Sequence, residues 1–502
     1  GDVSILDCAH VLFPVLARTG TMFMRGGAIH EVVRNDKDTI ILSPVRDVQF
    51  RSRIEEHCAV KKWVSVHEEQ ALKSAVCPQQ TASALMASSP AAEHLPHIRG
   101  ISGCPVLSCP SEEVLGRGYH QHHGGLMVAS GDEPADVSLT DAVARLFGIL
   151  DDFDLNTQAD RARALAMLLT PALCMGGWIP GRRPIFTIAA NASQTGKGYM
   201  LDILGGIYAE SRTLLGKRCG GVGSLDEDLA AAMLAGRPFI QLDNLRGKLD
   251  SQFLELVLTA EGSVPCRVPR VASVEADTRH FIFTATSNGM DTTFDLAQRA
   301  CMIRIRHRAP GYSFRAYPEG DVLAHVRANQ PVYLGSVFSI IREWAKAGCP
   351  RTPEGRHAFR DWAQACDWIS QNILRTGPIM DGHADVQADI SNPSLVWLRA
   401  VALEIEKTGR LGTELIASQL AEACEDAEPA IEIPTLRNGD AEERRKRVGI
   451  IMHKLIPAQF GSVTVDVFTV TRSVRSVHYE TAQRWGEEKV YRFEKTAVSP
   501  HL

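Results

Sequence analysis

Long apolar runs are missing from this sequence. Nowhere do its 502 residues approach the roughly 20 uninterrupted apolar residues that cross a bilayer as a helix. The opening GDVSILDCAH lacks the basic stretch and apolar core of a secretory leader, so a soluble, cytoplasmic chain with no membrane partner is expected. Gly1 stands where a methionine would begin, and more chain is expected upstream. An excess of either charge is also missing: 54 Lys and Arg face 59 Asp and Glu, a net charge of -5. There is no overall basic field, and any contact with nucleic acid must come from local patches. The twelve cysteines follow no disulfide framework and read as reduced thiols. Internal repeats and low-complexity tracts are absent as well.

What remains is an ordinary globular composition, 45% hydrophobic and 23% charged, enough for about three domains. Residues 1–135 mix short strand and helix signals and are expected to form a β-rich or mixed N-terminal domain. TMFMRGGAIHEVV predicts a hairpin, because Gly26-Gly27 supplies the positive φ angles of a tight turn. Cys104 and Cys109 with His120, His122 and His123 are zinc-competent residue types, but the loose spacing and Pro105 and Pro110 favour buried cysteines and surface histidines. GDEPAD, Gly131 to Asp136, reads as a linker.

Residues 136–385 begin helical and then alternate. PIFTIAA, RPFIQLD, RHFIFTATSN and CMIRIRH are short apolar runs bounded by turn signals and interleaved with helices. They predict an α/β fold with a mainly parallel sheet covered on both faces, followed by a return to helices over about 320–385. Residues 386–502 run through helical stretches into strand-rich sequence, the order of a winged helix-turn-helix.

Chemistry concentrates at the ends of the predicted strands. After PIFTIAA comes NASQTGKGY, and the candidate nucleotide-binding residues are Asn191, Ala192, Ser193, Gln194, Thr195, Gly196, Lys197, Gly198 and Tyr199. Lys197 can neutralise phosphate charge while backbone N–H groups at the start of the next helix wrap the phosphates. Against the phosphate-loop pattern G-x-x-x-x-G-K-[ST], Asn191 replaces the first glycine and Gly198 the hydroxyl residue. Taken alone the loop is equally well a small-residue strand-to-helix turn.

Downstream, RPFIQLDNLRG ends a strand in Asp243 and Asn244, and Asp243 is the candidate Mg²⁺-associated acid. FIFTATSN ends another in Asn288, suited to orienting the attacking water. DLAQRACMIRI puts Arg299 before the next strand, where a guanidinium could stabilise transition-state charge across a subunit boundary. Asp243, Asn244, Asn288 and Arg299 are thus the catalytic candidates, and ATP and Mg²⁺ the expected cofactors. Each has a bland counterpart: a cap, a turn residue, a surface ion pair.

With DNLRGKLDSQFLELVLT, VPCRVPRV, FTATSNG and DLAQRACMIRIRH, this order resembles the AAA+ and superfamily 3-like helicase modules of primase-helicases and replication proteins of plasmids, phages and integrative elements. That resemblance implies a P-loop, AAA+-type sheet with a helical lid, and a ring homo-oligomer, commonly a hexamer, that hydrolyses ATP between subunits and moves along single-stranded or forked DNA. By the same resemblance Lys197 is the phosphate lysine, Asn288 a sensor, Arg299 a finger acting in trans, and Arg327 a weaker candidate for a second sensor.

Two departures point to slow turnover. Gly198 removes a Mg²⁺ ligand, and Asn244 cannot act as a general base at neutral pH; Asp226, Glu227 and Asp228 are alternative carboxylates. A nucleotide-binding docking or loader protein, or the helicase half of a primase-helicase, therefore remains an alternative. For DNA contact the candidates are Arg267 and Arg270 in a short channel hairpin, Arg444, Arg445, Lys446 and Arg447 at the start of a recognition helix with Lys454 further along it, and Arg472 and Arg475 in a wing. Surface ion pairs and a solvated basic helix are the alternatives for these cations.

Overall fold

The computed structural model describes residues 4–36, 38–66, 69–190, 195–216, 224–249, 251–266, 274–292, 294–308, 311–384, 393–434, 436, 439–456, 461–465, 467–479 and 484–495, with the backbone alone at 66, 69, 123, 244–249, 287–292, 294, 393, 477–479 and 484–486. The chain divides into two compact units, 1–384 and 385–502.

The first unit opens with α1 (Ile5–Arg18), capped by Ser4, whose Oγ accepts the Asp7 amide at 3.0 Å. Its buried stripe, Ala9, Leu12, Phe13 and Leu16, has the spacing of one helical face. β1 (Met22–Arg25) and β2 (Ala28–Arg34) pair antiparallel around Gly26-Gly27, which hold φ of 54° and 83°, the conformation only glycine adopts freely. The hairpin expected at this point is therefore present, and β3 (Ile40–Pro44) extends it. α2 (Asp47–His57), the hairpin of β4 (Lys61–Val66) and β5 (Glu69–Ser74), α3 (Gln79–Met86) and α4 (Ser89–His94) follow. Helices α1 to α4 contribute to one apolar core with residues of β1 and β2. β6 (Gly100–Ser102), β7 (Val106–Leu107), β8 (Val114–Leu115), β9 (Gly118–His120) and β10 (Leu126–Val128) are short; β6, β10 and β9 form a sheet and β7 and β8 a two-stranded ladder.

Then come α5 (Leu139–Gly148), β11 (Asp154–Leu155) and α6 (Gln158–Met175). α6 is buried nearly all round, as a helix with apolar residues on every face must be. A six-stranded sheet follows: β12 (Ile185–Ala190), β13 (Thr213–Leu215), β14 (Phe239–Leu249), β17 (Ile282–Thr292) and β18 (Ala300–Arg306), with β11 on the edge. Between them lie α7 (Lys197–Ile207), α8 (Leu225–Ala235), α9 (Gln252–Thr259), the antiparallel pair β15 (Ser263–Cys266) and β16 (Val274–Asp277), and α10 (Phe294–Gln298). α11 (Val322–Ala328), α12 (Gln330–Lys346) and α13 (Arg360–Ile369) close the unit.

The strand order is β11-β18-β12-β17-β14-β13. All pairs are parallel except β11 with β18, which agrees with the α/β expectation. The edge strands β11 and β13 are two and three residues long, too short to leave a pattern in the sequence. From β12 the chain crosses to β13, returns through β14 to β17, and then passes β12 to reach β18. That reversal makes the carboxyl end of β12 a topological switch point, where open α/β sheets bind ligands.

The β1–β2 turn of the N-terminal segment packs on α8 and β16. Arg25 is buried, and its guanidinium donates to the carbonyls of Leu234 at 2.5 Å and Met233 at 2.8 Å, satisfying the open carbonyls at the end of α8. A Cβ on Gly26 would fall on the backbone carbonyl of Glu275 in β16.

The second unit runs α14 (Pro393–Lys407), β19 (Glu414–Leu415), α15 (Ala417–Asp426), α16 (Ala441–Leu455), β20 (Ser462–Val465), β21 (Phe468–Tyr479) and β22 (Arg484–Lys495). Its sheet order is β19-β22-β21-β20, antiparallel throughout. Leu398, Leu420, Met452, Val470 and Phe493 meet in its core.

Candidate nucleotide site

β12 carries the chain to the switch point. Ile185–Ile188 are buried, because β17 and β18 flank the strand and helices cover its faces. Asn191, Ala192, Ser193 and Gln194 lie outside the described residues. From Thr195 the path is defined: Gly196 takes φ 85°, ψ 12° at the N-cap, and Lys197 begins α7. The Lys197 side chain is only 9% exposed, and its Nζ stands 3.3 Å from Thr195 Oγ1. Burial lowers the Lys197 pKa below the ordinary lysine value, since desolvation disfavours the charged form. A Cβ built on Gly198 meets nothing within 4 Å, so the position lacks a hydroxyl but has room for one.

Asp243 follows the buried stretch Phe239–Leu242 of β14, and its carboxylate is exposed. Its Oδ1 accepts from Gln241 Nε2 at 3.0 Å and from Thr286 Oγ1 on β17 at 2.8 Å. β17 stands between β12 and β14, so the backbones leading to Lys197 and Asp243 are about two strand spacings, about 10 Å, apart.

The β14–β17 register slips at this level. Leu242 pairs with Ala285 and Leu245 with Ser287, so Asp243 and Asn244 together face Thr286; then Gly247 pairs with Met290, so Asn288 and Gly289 together face Arg246. Bulges re-aim side chains and are over-represented beside active sites. The side chains of Asn244 and Asn288 lie outside the described residues.

The Arg299 carbonyl accepts from the Ile185 amide at 3.1 Å, which fixes it at the amino end of β12. The phosphate loop leaves the carboxyl end, about 20 Å away along six residues of strand. Arg299 Nη1 lies 3.9 Å from Asp295 Oδ2 and is buried without a hydrogen bond among the described residues. Within one chain Arg299 and Lys197 are not brought together.

Arg327 packs against Gly206 near the far end of α7, about 15 Å of helix from Lys197. Asp226 Oδ1 accepts from Ser251 Oγ at 2.7 Å, just past the end of β14, which sets the acidic first turn of α8 beyond the same edge of the sheet as Asp243.

Several neighbours of the loop went unread in the sequence. A Cβ on Gly196 would approach Phe153 at 3.2 Å, and the Phe153 and Tyr199 rings are 6.4 Å apart. Tyr199 Oη accepts from the Leu323 amide at 3.1 Å. Asp152 Oδ1 accepts from Tyr312 Oη and the Arg315 amide, each at 3.2 Å. Arg304 pairs in register with Ala189 and is tied at 3.3 Å to Asp160, which is itself buried against Arg163 at 2.7 Å. The run DDFDL carries no motif, and only the antiparallel pairing of Asp154 with Arg306 brings it to the loop.

The zinc alternative is not assembled at the cysteines. Cys104 is buried, and its thiol pKa is pushed up by burial. His122 Nε2 contacts Ser108 Oγ at 2.6 Å and His120 Nε2 contacts the Gly116 carbonyl at 2.6 Å; the His123 side chain lies outside the described residues.

Of the basic candidates, Arg267 and Arg270 lie outside the described residues, between the paired ends Cys266 and Val274 of β15 and β16. In the second unit Arg444 pairs with Glu425, Lys446 with Glu442 at 2.7 Å, and Arg475 with Glu488 at 2.8 Å. Arg447 Nε donates to the Pro434 carbonyl at 3.0 Å and Arg472 to that of Ile456 at 2.9 Å. Arg445 and Lys454 are exposed on α16.

No family description and no curated protein matches the chain. Solved helicase-type structures are similar at low identity. The C-terminal region of NrS-1 aligns over 96% of this chain and 98% of its own, at 10% identity and TM-score 0.38. The SCCmec type IV Cch active helicase aligns over 92% and 90%, at 12% identity and TM-score 0.34. JCV helicase aligns over 51% and 73%, at 14% identity and TM-score 0.24. The likeness is loose at these scores, and the functional reading rests on the residues themselves.

Proposed function

We propose that the chain is an ATP-dependent DNA helicase or translocase of the AAA+ or superfamily 3-like kind, the motor of a mobile-element replication protein. It works in the cytoplasm as a ring homo-oligomer, a hexamer, on single-stranded or forked DNA. The observation that carries the reading is the placement of a nearly buried Lys197 at the start of α7 and of Asp243 at a bulge within β14, on either side of β17. Unrelated turns give no reason for a buried lysine, a carboxylate at a bulge of one strand and a second bulge on the next strand to gather at a switch point.

The residues present fit ATP and Mg²⁺. Lys197 and the first amides of α7 would take phosphate oxygens, and Asp243, with Oδ1 held by Gln241 and Thr286, would hold the cation directly or through water. The cation would screen the charge on the phosphates. Asn288 would orient the water that attacks the γ-phosphorus as the bond to ADP breaks. Arg299, distant from its own Lys197, would serve the neighbouring subunit's site. Arg267 and Arg270 would meet the DNA backbone, while α15, α16 and the β21–β22 ribbon would act as a winged helix with Arg445 exposed for phosphate. The second reading, a loader or docking protein with little turnover, is favoured by Gly198 and Asn244.

ATPase measured with and without single-stranded and forked DNA separates the two. DNA-stimulated hydrolysis that is lost in Lys197→Ala and Arg299→Ala, and partly restored when the two variants are mixed, supports the motor. ATP binding without stimulated hydrolysis supports the loader. No ATP binding overturns both.

A further inference from the structure

Away from the nucleotide site, three metal-competent side chains meet on the N-terminal helices. His10 lies on α1, and Glu93 and His94 end α4. One ligand atom from each stands within 4.8 Å of the others. His10 Nδ1 and His94 Nε2 are 3.2 Å apart, with the rings nearly perpendicular at 84° and their centroids 5.5 Å apart.

Two nitrogens bound to one tetrahedral zinc at about 2.05 Å each stand about 3.3 Å from one another. The two imidazoles share a hydrogen bond at nearly this spacing, and an ion would displace the proton between them. Beneath them, Ala9 and Phe13 of α1, Ala91 of α4 and Leu95 at its C-cap are buried in one apolar core, so packing fixes the two helices that carry the histidines. His10 and Glu93 are exposed and His94 is half-buried, which leaves a path for the ion.

We propose that His10, Glu93 and His94 form a transition-metal site of the zinc class that pins α1 to α4. Two neutral imidazoles and one carboxylate match zinc, whereas magnesium and calcium take oxygen ligands. Three protein ligands leave a fourth position for water. The site is independent of the nucleotide reading and stands whether or not the chain hydrolyses ATP.

The test titrates the tag-free, metal-stripped full chain with zinc chloride by calorimetry. One site is expected, weakened about tenfold or more in His10→Ala and in His94→Ala, since even outer-shell losses reach that size. Affinity falls on acidification, because the ligating imidazole must be neutral. Zinc raises the thermal midpoint of the wild type and leaves that of the His10→Ala/His94→Ala double variant unchanged. Cobalt in place of zinc gives a tetrahedral spectrum with no thiolate charge-transfer band, which separates this site from Cys104 and Cys109. Glu93→Gln alters one exposed side chain, so a weakened site in that variant cannot come from misfolding. Unchanged zinc affinity in the double variant, or a thiolate band with cobalt, overturns the proposal.

Discussion

Thr286 Oγ1 donates to Asp243 Oδ1 across 2.8 Å, tying β17 to β14 at the first of two successive bulges in their ladder. The bond holds one carboxylate oxygen at the edge of the sheet where the chain reverses. Thr286→Val removes the donor while keeping the strand shape. The loss is about 1 kcal/mol, so kcat for ATP falls about fivefold with KM little changed, whereas Asp243→Asn abolishes turnover. Steady-state kinetics of the two variants check this; an unchanged kcat in Thr286→Val would mean the bond does not position the acid.

Gly198 offers a gain-of-function experiment. Open space surrounds its position, and the missing hydroxyl is a Mg²⁺ ligand in phosphate loops. Gly198→Thr is expected to lower the Mg²⁺ concentration needed for half-maximal ATPase by about tenfold, or about 1.4 kcal/mol. A Mg²⁺ titration of both proteins reads it directly.

Acid should destabilise the first unit through buried histidines. Burial lowers the pKa of His30 and His357 to about 4 and of His280 and His383 to about 3. His280 Nε2 contacts the Gly236 carbonyl at 2.9 Å, while His357 Nδ1 and His383 Nε2 accept backbone amides. Each folded pKa lies below the unfolded value of about 6.5, so the unfolded chain takes up the extra protons. Stability is complete above pH about 6.5 and is lost as pH falls towards about 4, at about 1.4 kcal/mol per histidine by pH about 5.5. The thermal midpoint followed from pH 7.5 to 5 tests this, and His280→Phe should flatten the slope.

The turn at Gly26 links the N-terminal segment to β16. Gly26→Ala strains a φ of 54° and drives a methyl into Glu275, costing about 2 kcal/mol or more. DNA-stimulated ATPase is expected to fall while basal hydrolysis persists, because β15 and β16 lead to Arg267 and Arg270. Gly20→Ala, with φ 68° and open surroundings, controls for backbone strain. Equal loss of stimulation in both variants would refute the linkage.

Part of the candidate site was legible because it follows strands. The apolar runs that lead to Ala190, Asp243 and Asn288 were legible, since a buried parallel strand leaves that pattern, but β14 and β17 do not end where the sequence placed their ends and run on to Leu249 and Thr292. The Gly26-Gly27 hairpin was legible for a related reason: positive φ leaves a glycine signature. Phe153, Thr286 and Arg304 were not, because each acquires its place through pairing between strands distant in sequence. His10 and His94 are 84 residues apart, and no spacing rule joins them.

By itself the sequence determined the alternation of strands and helices, the apolar runs that must be buried, and the chemistry available at Lys197 and Asp243, because these depend on local periodicity and residue type. Tertiary structure alone decided that β17 separates β12 from β14, that β14 bulges at Asp243 and β17 bulges at the next level, and that Arg299 stands at the opposite end of the sheet from its own Lys197. Strand order and register are settled by packing across the whole unit, and a shift of one position would have moved every one of these side chains to another face.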